Sequence, residues 1–223
     1  NKRHFTRTLV VTSPTDVRTQ ELARREGVEC YVTDAFYRDG AAFNKGLAVE
    51  EAFDALGRDG WICVWDADIV MPDCIQFPRE TDCLYAPMRH ILDDPAAFTD
   101  GLDWSAVPSP TQPHEFDGYF QLFHASSLAP PWYGTGWRHA GGCDSDFQFR
   151  FAEDNRRRPP FAVLHLGAEG IPELGVRIGR NWRGRVTPRI DTGEVPPAAA
   201  VREEEIRRMV ADRRLYGTAR ERL

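Results

Sequence analysis

Residues 8–13, T-L-V-V-T-S, form a short β-branched run that stops at Pro14, and this pattern predicts a buried strand running into a turn. Thr15 or Asp16 is then placed to cap a helix that extends to about Glu26 and stops at Gly27. Residues 28–33 repeat the strand pattern, so the chain opens as β-α-β. Further on, Val49, Ala52, Phe53 and Leu56 fall at i, i+3, i+4 and i+7, which predicts a helix over 43–56 with one apolar stripe and a stop at Gly57. The stretch Trp61–Trp65 is apolar at consecutive positions and ends directly in Asp66-Ala67-Asp68, the pattern of a central parallel strand covered on both faces. Residues 83–88, 119–124 and 161–166 are further strand candidates, and 144–153 reads as helix.

Segments 93–114 and 167–197 are rich in Pro, Gly and Asp and read as functional loops within the domain. From 198 to about 216, Ile206, Met209 and Val210 line one side of a charge-dense segment, the pattern of an amphipathic helix packing on its own domain. No internal repeat interrupts this order. The economical organisation is one α/β domain over 1–197, with 198–223 as its helical extension.

Composition narrows the picture. With 42% hydrophobic and 28% charged residues over 223 positions, the chain is neither disordered, collagenous nor coiled coil. The longest apolar run, Trp61–Trp65, is far short of the roughly 20 residues that cross a bilayer. The first residue is Asn1 rather than Met, which predicts trimming at the start. Cys30, Cys63, Cys74, Cys83 and Cys143 are odd in number and include no C-x-x-C pair, so reduced thiols in a cytoplasm are expected. The net charge of -6 is unevenly placed: residues 150–223 carry 16 Arg against 11 acids, leaving 1–149 at -11. Of the 28 basic residues only Lys2 and Lys45 are lysines, an imbalance expected of a GC-rich genome. A basic tail permits an acidic partner, but a pI near 5.6 does not make nucleic acid the default.

Four clusters carry candidate chemistry. W-D-A-D at 65–68 places two carboxylates directly after the most apolar strand, where ligands collect in open α/β sheets, and carboxylates are hard ligands for Mg²⁺ or Mn²⁺. The alternative for this motif is a solvated turn. G-G-C-D-S-D-F at 141–147 combines two glycines with two acids at a helix start, a place for a general base or simply for capping carboxylates. His165 interrupts the apolar run F-A-V-L-H-L-G, either as a satisfied core histidine or as a metal ligand beside a carboxylate. F-N-K-G at 43–46 sets Lys45 at a helix start, where it is either solvated or turned to a nucleotide.

The order of these clusters resembles the metal-dependent glycosyltransferases of the GT-A fold. The resemblance runs through V-V-T-S-P, F-N-K-G-L-A, W-D-A-D, G-Y-F-Q-L-F-H-A-S at 118–126, G-G-C-D-S-D and H-L-G at 165–167, covering about residues 8–185. It is closest to the lactose-synthase-type galactosyltransferases and their bacterial relatives. It implies a Rossmann-like, mixed but mostly parallel sheet flanked by helices, with a C-terminal helical tail. It also implies a UDP-sugar donor, an acceptor hydroxyl, and Mn²⁺ or Mg²⁺ on the D-x-D motif. In that family pattern Asp68 and His165 ligate the metal and Asp66 contacts the donor ribose or the metal. Asp144 matches the catalytic base, and Asp146 orients the acceptor or supports the helix. Thr12, Ser13 and Asp16 lie near the uracil and ribose, with Lys45 supporting the same nucleotide half. The loop R-I-G-R-N-W-R-G-R at 177–185 brings Arg180, Arg183 or Arg185 to the diphosphate. Cys143 departs from the pattern, which has glutamate there, and this leaves the identity of the sugar open.

The implied chemistry is inverting, with a single base on the face opposite the leaving group. Rival readings are kept. The acceptor is a glycan or small molecule, or alternatively a hydroxymethylated pyrimidine in DNA, which the basic tail and the aromatics Trp132, Tyr133, Trp137 and Trp182 would suit. A nucleotidylyltransferase lacks its early glycine-rich loop in this chain. From another class stands a non-catalytic module binding sugar or a partner.

Overall fold

The β-α-β opening forms as read. In the computed structural model, which describes residues 1–41, 43–92, 94–109, 116, 118–137 and 143–166, β1 (Leu9–Thr12) and β2 (Glu29–Val32) pair in parallel, with Leu9 opposite Glu29. The crossover helix α1 (Val17–Arg25) starts at Asp16, whose side chain accepts the Thr19 N–H at 3.1 Å. Gly27, at φ +62°, turns the chain out of the helix in a conformation that favours glycine. Helix α2 (Lys45–Leu56) begins two residues later than the apolar pattern suggests. The Asn44 carboxamide occupies the cap position and accepts the Leu47 N–H at 2.9 Å.

The sheet departs from expectation. Among the described residues nine strands form three small sheets of mixed orientation, not one mostly parallel sheet. Strand β3 (Trp61–Trp65) lies at the edge of a four-stranded sheet, order β3-β7-β5-β8, and runs antiparallel to β7 (Phe120–His124). Consecutive apolar positions report burial on two faces, not the direction of the partner strand. Both faces of β3 are indeed apolar contacts. Ile62 and Val64 pack with Phe123, Trp132 and Phe147, whereas Trp61, Cys63 and Trp65 pack with Tyr85, Phe120 and Leu122.

In the same sheet β5 (Leu84–Tyr85) is antiparallel to β7 and parallel to β8 (Arg156–Arg157). The third sheet, order β4-β9-β6, sets β9 (Ala162–Leu166) antiparallel to β4 (Ile69–Val70) and parallel to β6 (Met88–Leu92). The strand predicted over 83–88 is therefore split. Pro87 has no N–H to give to a ladder, and beyond it the chain resumes in another sheet. Three times the chain passes from the second sheet into the third: β3 to β4 through Asp66-Ala67-Asp68, β5 to β6 through Ala86-Pro87, and β8 to β9 through 158–161.

The helix predicted over 144–153 is the six-residue α3 (Cys143–Gln148), followed by a separate 3-10 turn at Glu153–Asn155. The described part of segment 93–114 carries two more such turns, Pro95–Ala97 and Trp104–Ala106, capped by Asp94 and Asp103. These elements belong to one unit, Asn1–Ala168. The predicted tail helix, the boundary at 197 and the loop 167–197 lie outside the described residues. Among the described residues no helix is long and apolar enough to cross a membrane.

Candidate active site

Lys45 opens α2, where the helix dipole disfavours a cation, so its ammonium needs local anions. Its Nζ lies 2.9 Å from Asp66 Oδ1, 3.0 Å from the Gly118 carbonyl oxygen and 3.3 Å from Asp144 Oδ1. The side chain is 14% exposed; two of these contacts are hydrogen bonds and the third, to Asp144, is an ion pair. Burial works against the charge, but Asp144 and then Asp66 outweigh it and hold the ammonium above its ordinary range. Burial likewise pushes the Asp144 carboxyl up from its ordinary value; Lys45 opposes that shift and Asp66 adds to it.

Core packing fixes where Asp144 stands. Phe147, one turn along α3, stacks on Tyr133 with ring centroids 4.3 Å apart. The buried Gln121 of β7 donates from Nε2 to the Asp144 and Phe116 carbonyl oxygens, each at 3.1 Å, and its Oε1 accepts the Tyr133 hydroxyl at 2.6 Å. On the approach side Gly118 is required, because a Cβ there would fall 1.9 Å from Asp144 Cγ. The Tyr133 segment is itself anchored to α2: Glu50 Oε1 accepts the Trp132 and Tyr133 N–H groups at 2.8 and 2.7 Å, and its other oxygen pairs with Arg58 at 3.0 Å. Gly46 lets α2 approach closely, since a Cβ there would lie 2.1 Å from the Gly134 carbonyl oxygen.

Beyond Ala67 a second pair forms. Asp68 Oδ1 is 3.3 Å from His165 Nε2, and Arg89 Nη1 stands 3.5 Å from the other ring nitrogen. The Arg89 guanidinium lies over the Tyr119 ring, 4.5 Å from its centroid. Adjacent ligands on a hard divalent ion, each at about 2.0–2.1 Å, sit about 3 Å apart, so this oxygen and nitrogen fit Mn²⁺ or Mg²⁺ in spacing and donor type. Asp66 does not complete a three-ligand set with them, because its carboxylate is turned to Lys45. Among the described residues the three ligand groups that do lie within 4.8 Å of one another are Glu80, Asp82 and Cys83, a largely exposed cluster in which Glu80 also pairs with Arg157 at 2.8 Å.

The other expected residues are placed as follows. Asp16 uses one oxygen to cap α1 and the other to accept the Thr12 hydroxyl at 2.9 Å, and the Ser13 and Thr15 hydroxyls are 3.1 Å apart. Asp146 is exposed, and its carboxylate borders Gly134 beside the Trp137 indole. Trp132 and Tyr133 are each 1% exposed and belong to the core, which corrects their reading as an acceptor platform. Arg180, Trp182, Arg183 and Arg185 lie outside the described residues. Cys143, in the place where the resemblance expects glutamate, is a buried thiol pushed up first by burial and then by the Asp144 charge.

Sequence reasoning missed Gly118 as a contact of Asp144, and it missed Gln121, Glu50 and Arg89. Two of these left a mark. Gln121 is a polar residue inside the apolar run of β7, and Glu50 sits on the buried face of α2 between Val49 and Ala52. Comparison with known protein families, with curated proteins and with solved structures finds no match to this chain.

Proposed function

We propose that this chain is an inverting, metal-dependent glycosyltransferase of the GT-A type, transferring a sugar from a UDP-sugar to an acceptor hydroxyl. The observation that carries the reading is convergence. F-N-K-G, W-D-A-D, G-Y-F-Q and G-G-C-D-S-D, distant in sequence, meet at the Lys45 ammonium, and the Asp68–His165 pair begins one residue from that point. The β-α-β opening, and carboxylates gathered where β3 ends, support the fold assignment.

Asp144 is the general base. Its Oδ1 faces Lys45 and the Cys143 thiol, and Oδ2 takes the proton of the acceptor hydroxyl. Its burial-raised affinity for protons brings it nearer to neutrality, which suits a base. Asp66, held by Lys45, faces the donor ribose, and Thr12, Ser13 and Asp16 at the end of β1 border the uridine. Mn²⁺ or Mg²⁺ bound by Asp68 and His165 supplies the positive charge that offsets the growing charge of the UDP leaving group. A single base opposite the leaving group gives inversion. The acceptor is a hydroxyl of a glycan or small molecule, with hydroxymethylated DNA the second candidate.

The test is UDP release from UDP-glucose, UDP-galactose, UDP-GlcNAc and UDP-GalNAc with Mn²⁺ or EDTA, read beside UDP binding. Metal-dependent release with one donor, lost in Asp68→Ala and Asp144→Asn, is expected. Absence of both UDP release and Mn²⁺-dependent UDP binding would overturn the reading.

A further inference from the structure

The nucleotide role that the resemblance gives Lys45 conflicts with its surroundings. A lysine that holds a phosphate or ribose has to turn its ammonium toward that group, whereas this one donates to Asp66 and to the Gly118 carbonyl and has Asp144 at ion-pair distance, 3.3 Å, on its remaining side. Those acceptors come from three separate elements: the residue after β3, the turn before β7 and the first turn of α3. Among the described residues Lys45 is the cation paired with both Asp66 and Asp144. The carbonyl of Gly118 is fixed in the same arrangement, since the Asp144 carboxyl sits against the Gly118 α-carbon.

We infer that Lys45 is a positioning residue: its ammonium sets the spacing between the base Asp144 and the donor-side carboxylate Asp66, and it touches neither donor nor acceptor. This rests on the glycosyltransferase reading for its catalytic meaning, although the anchoring itself is independent of it. Removing the cation leaves two carboxylates facing each other in a half-buried space, so the base swings away from the acceptor hydroxyl, while of the nucleotide-side groups only Asp66 loses its hold.

The chain offers an internal control, because Lys2 and Lys45 are its only lysines and Lys2 is exposed. Competitive acylation of the full chain at neutral pH, followed by peptide mass spectrometry, compares the two amines. In the wild type Lys45 should react about tenfold or more slowly than Lys2, because a buried and doubly paired ammonium rarely offers its free amine. Asp144→Asn and Asp66→Asn should each release part of that protection, and added UDP with Mn²⁺ should not deepen it. In turnover, Lys45→Met should lower kcat by about 10²-fold, the scale of a base misplaced by an ångström, with UDP binding weakened far less. Lys45→Arg, which keeps the charge, should recover part of the loss.

Labelling of Lys45 as fast as Lys2 would overturn the anchor. UDP binding that falls in Lys45→Met as far as turnover does, or protection that deepens with UDP, would make Lys45 a nucleotide ligand and overturn the positioning role. A wild type that neither turns over nor binds UDP would sink the glycosyltransferase reading and the catalytic meaning of Lys45 with it, whereas the labelling comparison would still decide the anchor.

Discussion

His165 Nε2 stands 3.3 Å from Asp68 Oδ1, and strand register puts it there. Ile69 pairs with His165 across the β4–β9 ladder, and the Leu166 N–H donates to the Asp68 carbonyl oxygen at 2.9 Å. The two side chains are thus presented by backbone hydrogen bonds on both sides of the pair. Preorganisation of this kind removes most of the ordering cost of taking up an ion.

Mn²⁺ should therefore raise the melting temperature of the wild-type protein. At a hundredfold excess over Kd the stabilisation is about 2.7 kcal/mol. Asp68→Ala and His165→Ala should each abolish the shift in thermal denaturation, while Asp66→Asn should keep most of it because Asp66 serves Lys45. A shift that survives Asp68→Ala would place the ion elsewhere.

Gly118→Ala should disable the base without unfolding the chain. The added Cβ falls 1.9 Å from Asp144 Cγ, so the carboxyl must move, while Asp144 is held through its backbone by Gln121. A displacement of about an ångström costs on the order of 10²-fold in kcat. Turnover beside circular dichroism distinguishes this local effect from misfolding.

Asp144 should also leave a signature in stability against pH. Its folded pKa lies above the ordinary 3.8, so the folded protein holds this proton more tightly than the unfolded chain does. The stabilisation that the protonated group provides is complete below the unfolded value and is lost as pH rises through the folded value. Asp144→Asn, which carries no titrating group, should gain stability relative to the wild type across that window. Urea midpoints of the two proteins at a series of pH values check the sign. The acid limb of the wild-type rate profile should likewise lie above the range of an ordinary aspartate.

Glu50 should matter for stability far more than for chemistry. It accepts two buried backbone N–H groups and pairs with Arg58, so Glu50→Ala strands both N–H groups and leaves Arg58 with Asp54 as its carboxylate partner. The expected loss is about 3–5 kcal/mol in urea unfolding. Glu50→Gln, which retains a carbonyl oxygen for the two N–H groups, should lose clearly less.

Much of the fold was legible because apolar runs with clear breakers dominate it. The segment Leu9–Thr12, its helix capped by Asp16, the helix beginning at Lys45, and the strands Phe120–His124 and Ala162–Leu166 all follow local pattern. Partner choice did not. Trp61–Trp65 announces two buried faces, yet its antiparallel pairing depends on a segment sixty residues away in order of magnitude. Strands as short as Ile69–Val70 and Arg156–Arg157 carry too few residues for a period, and the second is wholly charged. Pro87 was readable as a break inside 83–88.

The site divides in the same way. Asp68 and His165 were singled out because polar groups at the ends of apolar runs are visible in sequence, and the structure brings the two side chains to 3.3 Å. The partners of Lys45 were not, since three separate segments have to converge before its acceptors exist. Trp132 and Tyr133 were misjudged because an aromatic pair among prolines and glycines looks like a surface loop. In fact Glu50 draws their backbone into the core.

The three short passages from the second sheet into the third have a mechanical consequence. A joint with one crossing would hinge and one with two would fold about a line, but three crossings triangulate the joint. The middle one is clamped as well, with Arg158 donating to the Ala86 and Pro87 carbonyl oxygens and the Tyr119 hydroxyl donating to Pro87. Asp144 docks on one arm of this frame, through Gln121 of β7, and His165 belongs to the other, with Asp66 and Asp68 on a strut between them. The separation of Asp144 from the Asp68–His165 pair is thereby a property of the frame. A substitution outside these crossings should therefore leave that separation unchanged, whereas one at Ala86, Pro87 or Arg158 should alter it.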